Sequence, residues 1–330
     1  MNKIFSLLLI YISFFAHTEE DPFNAFIYIS PLNSESLVNI GIKDNIDVKG
    51  MITSAGSLAL SSHYPNKDAF LISKLKSSNY HIYGKTNLSE WANFRSFNSV
   101  SGWSSFGGQT INPYGNNRNP CGSSSGSAVA VASGMLEIAI GTETNGSISC
   151  PASINGIVGM KPSVGLVSRS GIVPISSTQD TAGPMGKTVI IVAKALQAIA
   201  GEDPLDVSTL NIPKNFDFNF SKDLNKNSLK NKRFGLLNSG SDDEEGQKLL
   251  NKITKIISSR GGEVVEIEDT RVYPGEEEFF LLLYEFERDL ELYLANTNTP
   301  YKNLEHLIAF NNSNEDSVMP YFKQEIFEAS

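Results

Sequence analysis

Glycine and serine are concentrated in one stretch of this chain, between residues 101 and 185. Loops of this composition usually bring backbone groups, rather than side chains, close to something else, because their side chains are absent or short. Residues 121–127 and 141–152 show the pattern most clearly. We therefore expect the main chain of this stretch to lie close to another group.

The chain after this stretch has the pattern of an α/β protein. Residues 233–237 and 264–267 predict short strands, and the segment between them predicts a helix that Ser241 caps and that ends before Gly261. A strand, a helix and a strand of this length predict a parallel crossover. The apolar stripe of the helix consists of Leu249, Leu250, Ile253, Ile256 and Ile257.

A second, longer helix is predicted over residues 276–296. One face carries large apolar side chains at helical spacing, which indicates that this face belongs to the core. The residues of that face are Phe279, Leu283, Phe286, Leu290 and Tyr293.

Residues 1–18 have the pattern of a secretory signal peptide. Asn2 and Lys3 precede an almost unbroken apolar run over residues 4–16, and the chain then becomes acidic. The run is short for a bilayer span but suits the apolar region of a signal peptide. We expect an exported protein, periplasmic or secreted, with its domain over residues 19–330 and no stable membrane insertion beyond the leader. An uncleaved anchor and an N-terminal strand are the alternatives, and without a signal peptide the protein would be cytoplasmic.

The net charge of −9 and the pI near 5.1 argue against a nucleic-acid partner. A phosphate backbone requires a basic face, and no Lys/Arg-rich stretch provides one. The two cysteines, Cys121 and Cys150, are too few for a disulfide scaffold, and no Cys/His spacing indicates zinc. They could pair in an oxidising compartment or remain small buried residues.

The sequence favours a serine nucleophile without a histidine base. No GxSxG motif is present, and the four histidines stand apart from the serine segments. A phosphate-binding loop is also disfavoured, because the serine-rich loop lacks the GKS or GKT ending. A lysine can act as the base if burial lowers its pKa by several units, and a second serine can relay the proton. Three segments could supply these groups: residues 41–46, 121–127 and 141–152.

These segments resemble the amidase-signature family. The matching motifs are the Lys43 turn, the GSS loop at 122–124, the GTETNGSI loop at 141–148 and the GIVGMKP stretch at 156–162. Ser123 and Ser147 lie 24 positions apart, which is the family's spacing. Other stretches are most similar to bacterial peptide amidases, which hydrolyse the C-terminal amide of peptides: 84–94, 102–105, 119–122, 165–169, 179–185 and 307–311.

The resemblance implies a role for each site residue. Ser147 would be the nucleophile, Lys43 the neutral general base, and Ser123 the bridging serine after a cis peptide bond. The backbone amides of Thr144, Asn145, Gly146 and Ser147 would form the oxyanion hole. No metal and no cofactor are implied, and the substrate would be a peptide amide or a small amide. Lys85 is a rival base that the resemblance assigns to a structural role.

The implied fold is a mixed, twisted β-sheet flanked by α-helices on both faces. Members of the family are usually longer than 330 residues, so we expect the amidase-signature domain to be incomplete at its C-terminus. Two alternatives to a working amidase remain: the amidase component of a glutamyl-tRNA(Gln) amidotransferase, and a truncated inactive remnant. Ser149, where many members have arginine, bears on substrate class. The sequence does not predict an oligomeric state.

Overall fold

The computed structural model describes residues 21–31, 36–225, 227–237 and 244–330. The predicted leader over residues 1–18 and the predicted helix cap Ser241 lie outside these described residues. Within the described ranges, no helix is both long and apolar enough to cross a membrane.

A six-stranded sheet forms the centre of the fold. The strands of the described residues are β1 Phe26–Ile29, β2 Val38–Lys43, β3 Tyr80–Thr86, β4 Trp103–Ser104, β5 Gly108–Gln109, β6 Ile138–Glu143, β7 Val158–Gly159, β8 Thr181–Gly186, β9 Arg233–Leu237 and β10 Glu263–Ile267. The order in the central sheet is β1-β3-β2-β6-β8-β7. Strand β2 runs parallel to β3 and β6, whereas the remaining neighbours are antiparallel. The predicted mixed sheet is confirmed.

Helices cover both faces of this sheet, as predicted. The helices of the described residues are α1 Phe70–Lys76, α2 Ser125–Ala132, α3 Ser149–Ile154, α4 Val189–Ile199, α5 Glu244–Ser259, α6 Glu276–Ala295, α7 Leu304–Ser313, α8 Glu315–Val318 and α9 Glu325–Ala329. Ile40 and Ile42 of β2 pack with α1 and α4 in one apolar core. Gly41, between them, points to the opposite face, toward Leu136 just beyond α2.

Helix α2 lies unusually close to neighbouring main chain. A Cβ atom at Gly126 would stand 2.2 Å from the Ala25 carbonyl oxygen and 2.6 Å from the Asn87 amide nitrogen. Glycine is therefore required at this position, and the helix can begin directly beneath the serine loop. The small residues of the segment 121–127 therefore permit close packing in addition to supplying hydroxyl groups.

The predicted crossover is confirmed, but it stands apart from the central sheet. Strands β9 and β10 pair in parallel as a separate two-stranded sheet, with α5 between them in the chain. Much of the apolar stripe of α5 remains in solvent: Leu249 is 55% exposed, Ile253 39% and Ile256 45%. Helical spacing therefore identified the apolar stripe correctly. It did not predict that the described residues leave most of this stripe exposed to solvent.

The predicted long helix is α6, and its apolar face lies in a second core, as expected. Leu283, Phe286 and Leu290 are buried there. Phe286 packs edge-on against Phe94 at 5.0 Å between ring centroids. Because Phe94 follows a turn beside the serine loops, this contact places α6 next to the candidate site.

Candidate active site

Lys43 ends strand β2 and is completely buried. Its Nζ donates to Ser123 Oγ at 2.7 Å, to Thr142 Oγ1 at 2.8 Å and to the Thr142 carbonyl oxygen at 3.2 Å. Burial lowers the pKa of Lys43 to about 7, although the carboxylates of Asp180 and Glu143 act to raise it. A substantial fraction of Lys43 is therefore neutral near pH 7 and able to accept a proton.

Ser123 follows a cis peptide bond between Gly122 and Ser123, as the resemblance implied. Its carbonyl oxygen accepts from the Ser89 amide at 3.0 Å. The next residue, Ser124, donates its amide to the Ser147 carbonyl oxygen at 3.1 Å. The loop that carries Ser123 is thus joined through main chain to the loop that carries Ser147.

Ser123 and Ser147 line one small cavity between the ends of β6 and β8. The structure brings Lys43 and Ser123 into direct contact and puts both serines on the wall of the same cavity. The other residues of this inner cavity are Asn45, Ala92, Thr142, Thr144, Ile172, Val173, Ile175 and Asp180. Among the described residues, His63, His81 and His306 are absent from its lining.

The predicted oxyanion residues 144–147 form a turn between β6 and α3. Gly146 has φ of +83°, a left-handed conformation that favours glycine. Its carbonyl oxygen accepts from the Cys150 amide at 2.8 Å. The Glu143 carboxylate accepts from the Ile148 and Ser149 amides at 2.7 and 2.8 Å. The turn is therefore fixed by hydrogen bonds on the side where α3 begins.

Although burial alone would raise it, the pKa of Glu143 is lowered, because the backbone amides of Ser149, Ile148 and Gly146 donate to the carboxylate and Lys161 lies nearby. Glu143 is consequently a fixed negative charge beneath the turn. The Gly146 amide, one of the four predicted oxyanion donors, contributes to this carboxylate. The amides of Thr144, Asn145 and Ser147 are left as the candidate oxyanion donors.

Lys85, the rival base, is also completely buried but is held by an ion pair. Its Nζ lies 2.8 Å from Asp44 Oδ1 and donates to the Ile52 carbonyl oxygen at 2.6 Å and to Thr53 Oγ1 at 3.0 Å. Lys85 Nζ thus has three oxygen partners. The geometry therefore supports its structural role and leaves Lys43 as the lysine beside a serine.

Several residues at the site were not singled out from the sequence. Asn45 donates to Thr142 Oγ1 at 3.0 Å and so orients the hydroxyl that contacts Lys43. Asp180 accepts from Thr144 Oγ1 at 2.5 Å and from the amides of Ile175 and Ser176. Asp180 lies within one of the stretches that resemble peptide amidases, so the motif was visible although its role was not.

A second cavity adjoins the first and leads toward α6. It shares Ala92, Thr144, Ser147 and Ile175 with the inner cavity and adds Asn93, Phe94, Gly122, Asn145 and Leu282. Trp91, Ala92 and Asn93 are three consecutive left-handed residues, with φ of 50°, 55° and 71°. Ala92 lines both cavities, and Asn93 lines the outer one. The wall of this outer cavity combines the apolar side chains of Phe94, Ile175 and Leu282 with polar groups of the Ser147 turn.

Cys121 and Cys150 form a disulfide, with 6.0 Å between their Cα atoms. The sequence left this pairing open. The bond joins the residue before the cis peptide to helix α3, which follows the Ser147 turn. It therefore links the two serine loops covalently.

The mixed sheet, the buried lysine and the two serine loops define an amidase-signature protein. The family model for Amidase matches residues 37–326, and the chain belongs to this family. The Arabidopsis thaliana protein named Probable amidase At4g34880 is 40% identical over 303 residues, which are 88% of this chain and 57% of that protein. A glutamyl-tRNA(Gln) amidotransferase subunit of Saccharolobus solfataricus is 38% identical over 247 residues, covering 75% of this chain and 49% of that protein.

Among solved structures, the native peptide amidase from Stenotrophomonas maltophilia is 42% identical, with a TM-score of 0.86. The match covers 92% of this chain and 66% of that enzyme. The fold and the resemblance to peptide amidases are thereby confirmed. The chain spans little more than half the length of the Arabidopsis relative.

Proposed function

We propose that this protein hydrolyses the carboxamide C–N bond of a peptide C-terminal amide, or of a small amide, to a carboxylic acid and ammonia. The observation that carries the proposal is the 2.7 Å contact between Lys43 Nζ and Ser123 Oγ, made by a lysine whose pKa burial lowers to about 7. A buried neutral lysine beside a serine is a base with a proton relay. Membership of the amidase family and the similarity to a peptide amidase support the same reaction.

In the proposed cycle, Ser147 Oγ attacks the amide carbon while its proton passes to Ser123 and the Ser123 proton passes to Lys43. The C=O π electrons move to the carbonyl oxygen, which the amides of Thr144, Asn145 and Ser147 stabilise. The C–N bond then breaks, and the leaving nitrogen takes a proton back through the relay and departs as ammonia. Water, deprotonated by the same relay, hydrolyses the acyl-enzyme and releases the acid.

The two cavities support a peptide amide as substrate. The inner cavity has polar groups around the serines, which suits a primary carboxamide. The outer cavity, which has both apolar and polar side chains on its wall, would accommodate the adjoining part of the substrate. A series of amide substrates would identify the amide that the protein hydrolyses fastest.

The direct test is ammonia release from a C-terminally amidated peptide by the purified, oxidised protein. We expect ammonia and free-acid peptide in equal amounts, the acid being detected by mass spectrometry. For comparison, hydrolysis is also measured for the same peptide with a C-terminal N-methylamide, whose leaving group is larger. A folded protein that releases no ammonia from any amidated peptide or small amide would contradict the proposal and favour an inactive remnant.

The amidase component of an amidotransferase is the second candidate, because the Saccharolobus protein shares 38% identity with this chain. Such a component would be cytoplasmic and would require partner proteins. Activity of the isolated protein on amidated peptides favours the first proposal. A stable complex that transfers ammonia to charged tRNA would favour the second.

We further propose that the protein is exported. The apolar run over residues 4–16 has the pattern of a signal peptide, and the Cys121–Cys150 disulfide is typical of oxidising compartments. We expect the protein outside the cytoplasm to lack the leader and to have the mass of the disulfide form. Intact-mass measurement of fractionated cells tests both points. Full-length, reduced protein confined to the cytoplasm would refute export.

A further inference from the structure

Lys161 belongs to the GIVGMKP motif, and the proposed reaction gives it no role. It follows strand β7 by two residues and is 36% exposed. Its Nζ donates to the Thr144 carbonyl oxygen and lies 3.5 Å from Glu143 Oε1. The lysine therefore contacts the start of the oxyanion turn, although among the described residues it lines neither the inner nor the outer cavity.

The contact fixes the direction of one peptide group. In a trans peptide, the C=O and N–H bonds point in opposite directions. Because the Thr144 carbonyl oxygen is directed at Lys161, the Asn145 N–H is directed to the other side of the turn. Thr144 and Asn145 both line the outer cavity with Ser147, and Lys161 does not. The side away from Lys161 is thus the side of the substrate.

Thr144 is held from a second direction as well. Its hydroxyl donates to Asp180 Oδ1 at 2.5 Å, and Asp180 in turn accepts from the amides of Ile175 and Ser176. The hydrogen bond from the Thr144 hydroxyl to Asp180 does not constrain the Thr144 carbonyl oxygen. By itself it would therefore allow the 144–145 peptide to rotate. Among the described residues, Lys161 Nζ is the group that contacts this carbonyl oxygen. A hydrogen bond from a charged donor is stronger than one from a neutral donor.

We propose that Lys161 is a positioning residue that keeps the Thr144–Asn145 peptide in the orientation that presents the Asn145 N–H to the oxyanion. Without the ammonium, this peptide can rotate and turn the Thr144 carbonyl oxygen toward the substrate, where it repels a developing negative charge. Lys161 also neutralises part of the Glu143 charge beneath the turn. It therefore acts through the backbone and does not touch the substrate.

The kinetic test rests on the proposed amidase function. We expect Lys161→Met to lower kcat about tenfold to a hundredfold, somewhat less than the loss of an oxyanion donor, while KM for the amide changes less than about threefold. Lys161→Arg should recover most of the activity, because its guanidinium can donate to the same carbonyl oxygen. Lys194→Met, at an exposed position on α4, is the matched control and should keep wild-type activity.

A peptide aldehyde provides a sharper measurement. Ser147 Oγ adds to the aldehyde carbon, its proton enters the serine–lysine relay, and the aldehyde oxygen becomes an oxyanion at the proposed hole. Lys161→Met should weaken aldehyde binding by the same factor as kcat/KM. Equal weakening of amide and aldehyde binding, with a lower Tm, would indicate a merely structural residue and would overturn the proposal.

A crystal structure of Lys161→Met tests the inference without turnover. We expect the Thr144–Asn145 peptide to rotate, with the carbonyl oxygen toward the cavity. An unchanged peptide would refute the role of Lys161 even if the protein is an active amidase. If the peptide is rotated in Lys161→Met but the wild-type protein releases no ammonia, the positioning role is supported and the proposed function is refuted instead.

Discussion

Replacement of Ser147 by alanine should abolish ammonia release, with kcat reduced by at least about 10⁴-fold. The proposed acyl-enzyme requires a nucleophilic oxygen at this position. Any residual rate would come from the relay and the oxyanion donors acting on water. The measurement is ammonia release from an amidated peptide at saturating concentration. Mass spectrometry of the wild-type protein and of the variant then shows whether an acyl group is attached, which is expected in the wild type alone.

The variant should fold normally, because Ser147 is held by its main chain and its side chain is small. Ser153→Ala is the matched control: Ser153 is an exposed serine on helix α3, and its loss should leave kcat unchanged. Ser147→Ala with more than about one tenth of wild-type activity would contradict the assignment of the nucleophile. Ser123 would then be the first residue to reconsider, since it lines the same cavity.

Replacement of Lys43 by methionine should lower kcat/KM by about 10²–10⁴-fold, which is the usual contribution of a general base. In the wild type, kcat/KM should rise about tenfold per pH unit below pH 7 and level off above it. The reason is that Lys43 acts in its neutral form and that burial lowers its pKa to about 7. The residual activity of Lys43→Met should lack this acidic limb. Lys43→Arg should show a comparable loss of kcat/KM, because arginine stays charged and cannot act as the base.

Stability measurements separate this effect from misfolding. The folded-state pKa of Lys43 lies below its usual value of 10.5, so between about pH 7 and 10.5 the unfolded chain binds more protons than the folded protein. The contribution of Lys43 to the free energy of unfolding should therefore rise with pH across this window. At pH 7, Lys43→Met should be at least as stable as the wild type, since it removes a buried ionisable group. Wild-type activity that stays constant from pH 5 to pH 8 would exclude Lys43 as the base.

Much of the local structure could be predicted from the sequence. The strands β9 and β10, the helix α6 and its apolar face follow from spacing, because periodicity records which side of an element is buried. The three segments that carry Lys43, Ser123 and Ser147 were also visible, because the chemistry demands those residue types and the absence of a histidine base narrowed the choice. The exposed stripe of α5 shows the limit, since spacing reveals amphipathicity but not whether a partner covers it.

The sequence by itself determined the family and the order of the segments that carry Lys43, Ser123 and Ser147. The tertiary structure decided which lysine is beside a serine, because the contacts of Lys43 span 80 and 99 positions along the chain. It also decided that Lys85 pairs with Asp44, that Cys121 pairs with Cys150, and that Lys161 lies behind the Thr144 peptide. The pKa of a lysine and the direction of a peptide group depend on burial and on distant partners. Those quantities are set only when the chain has folded.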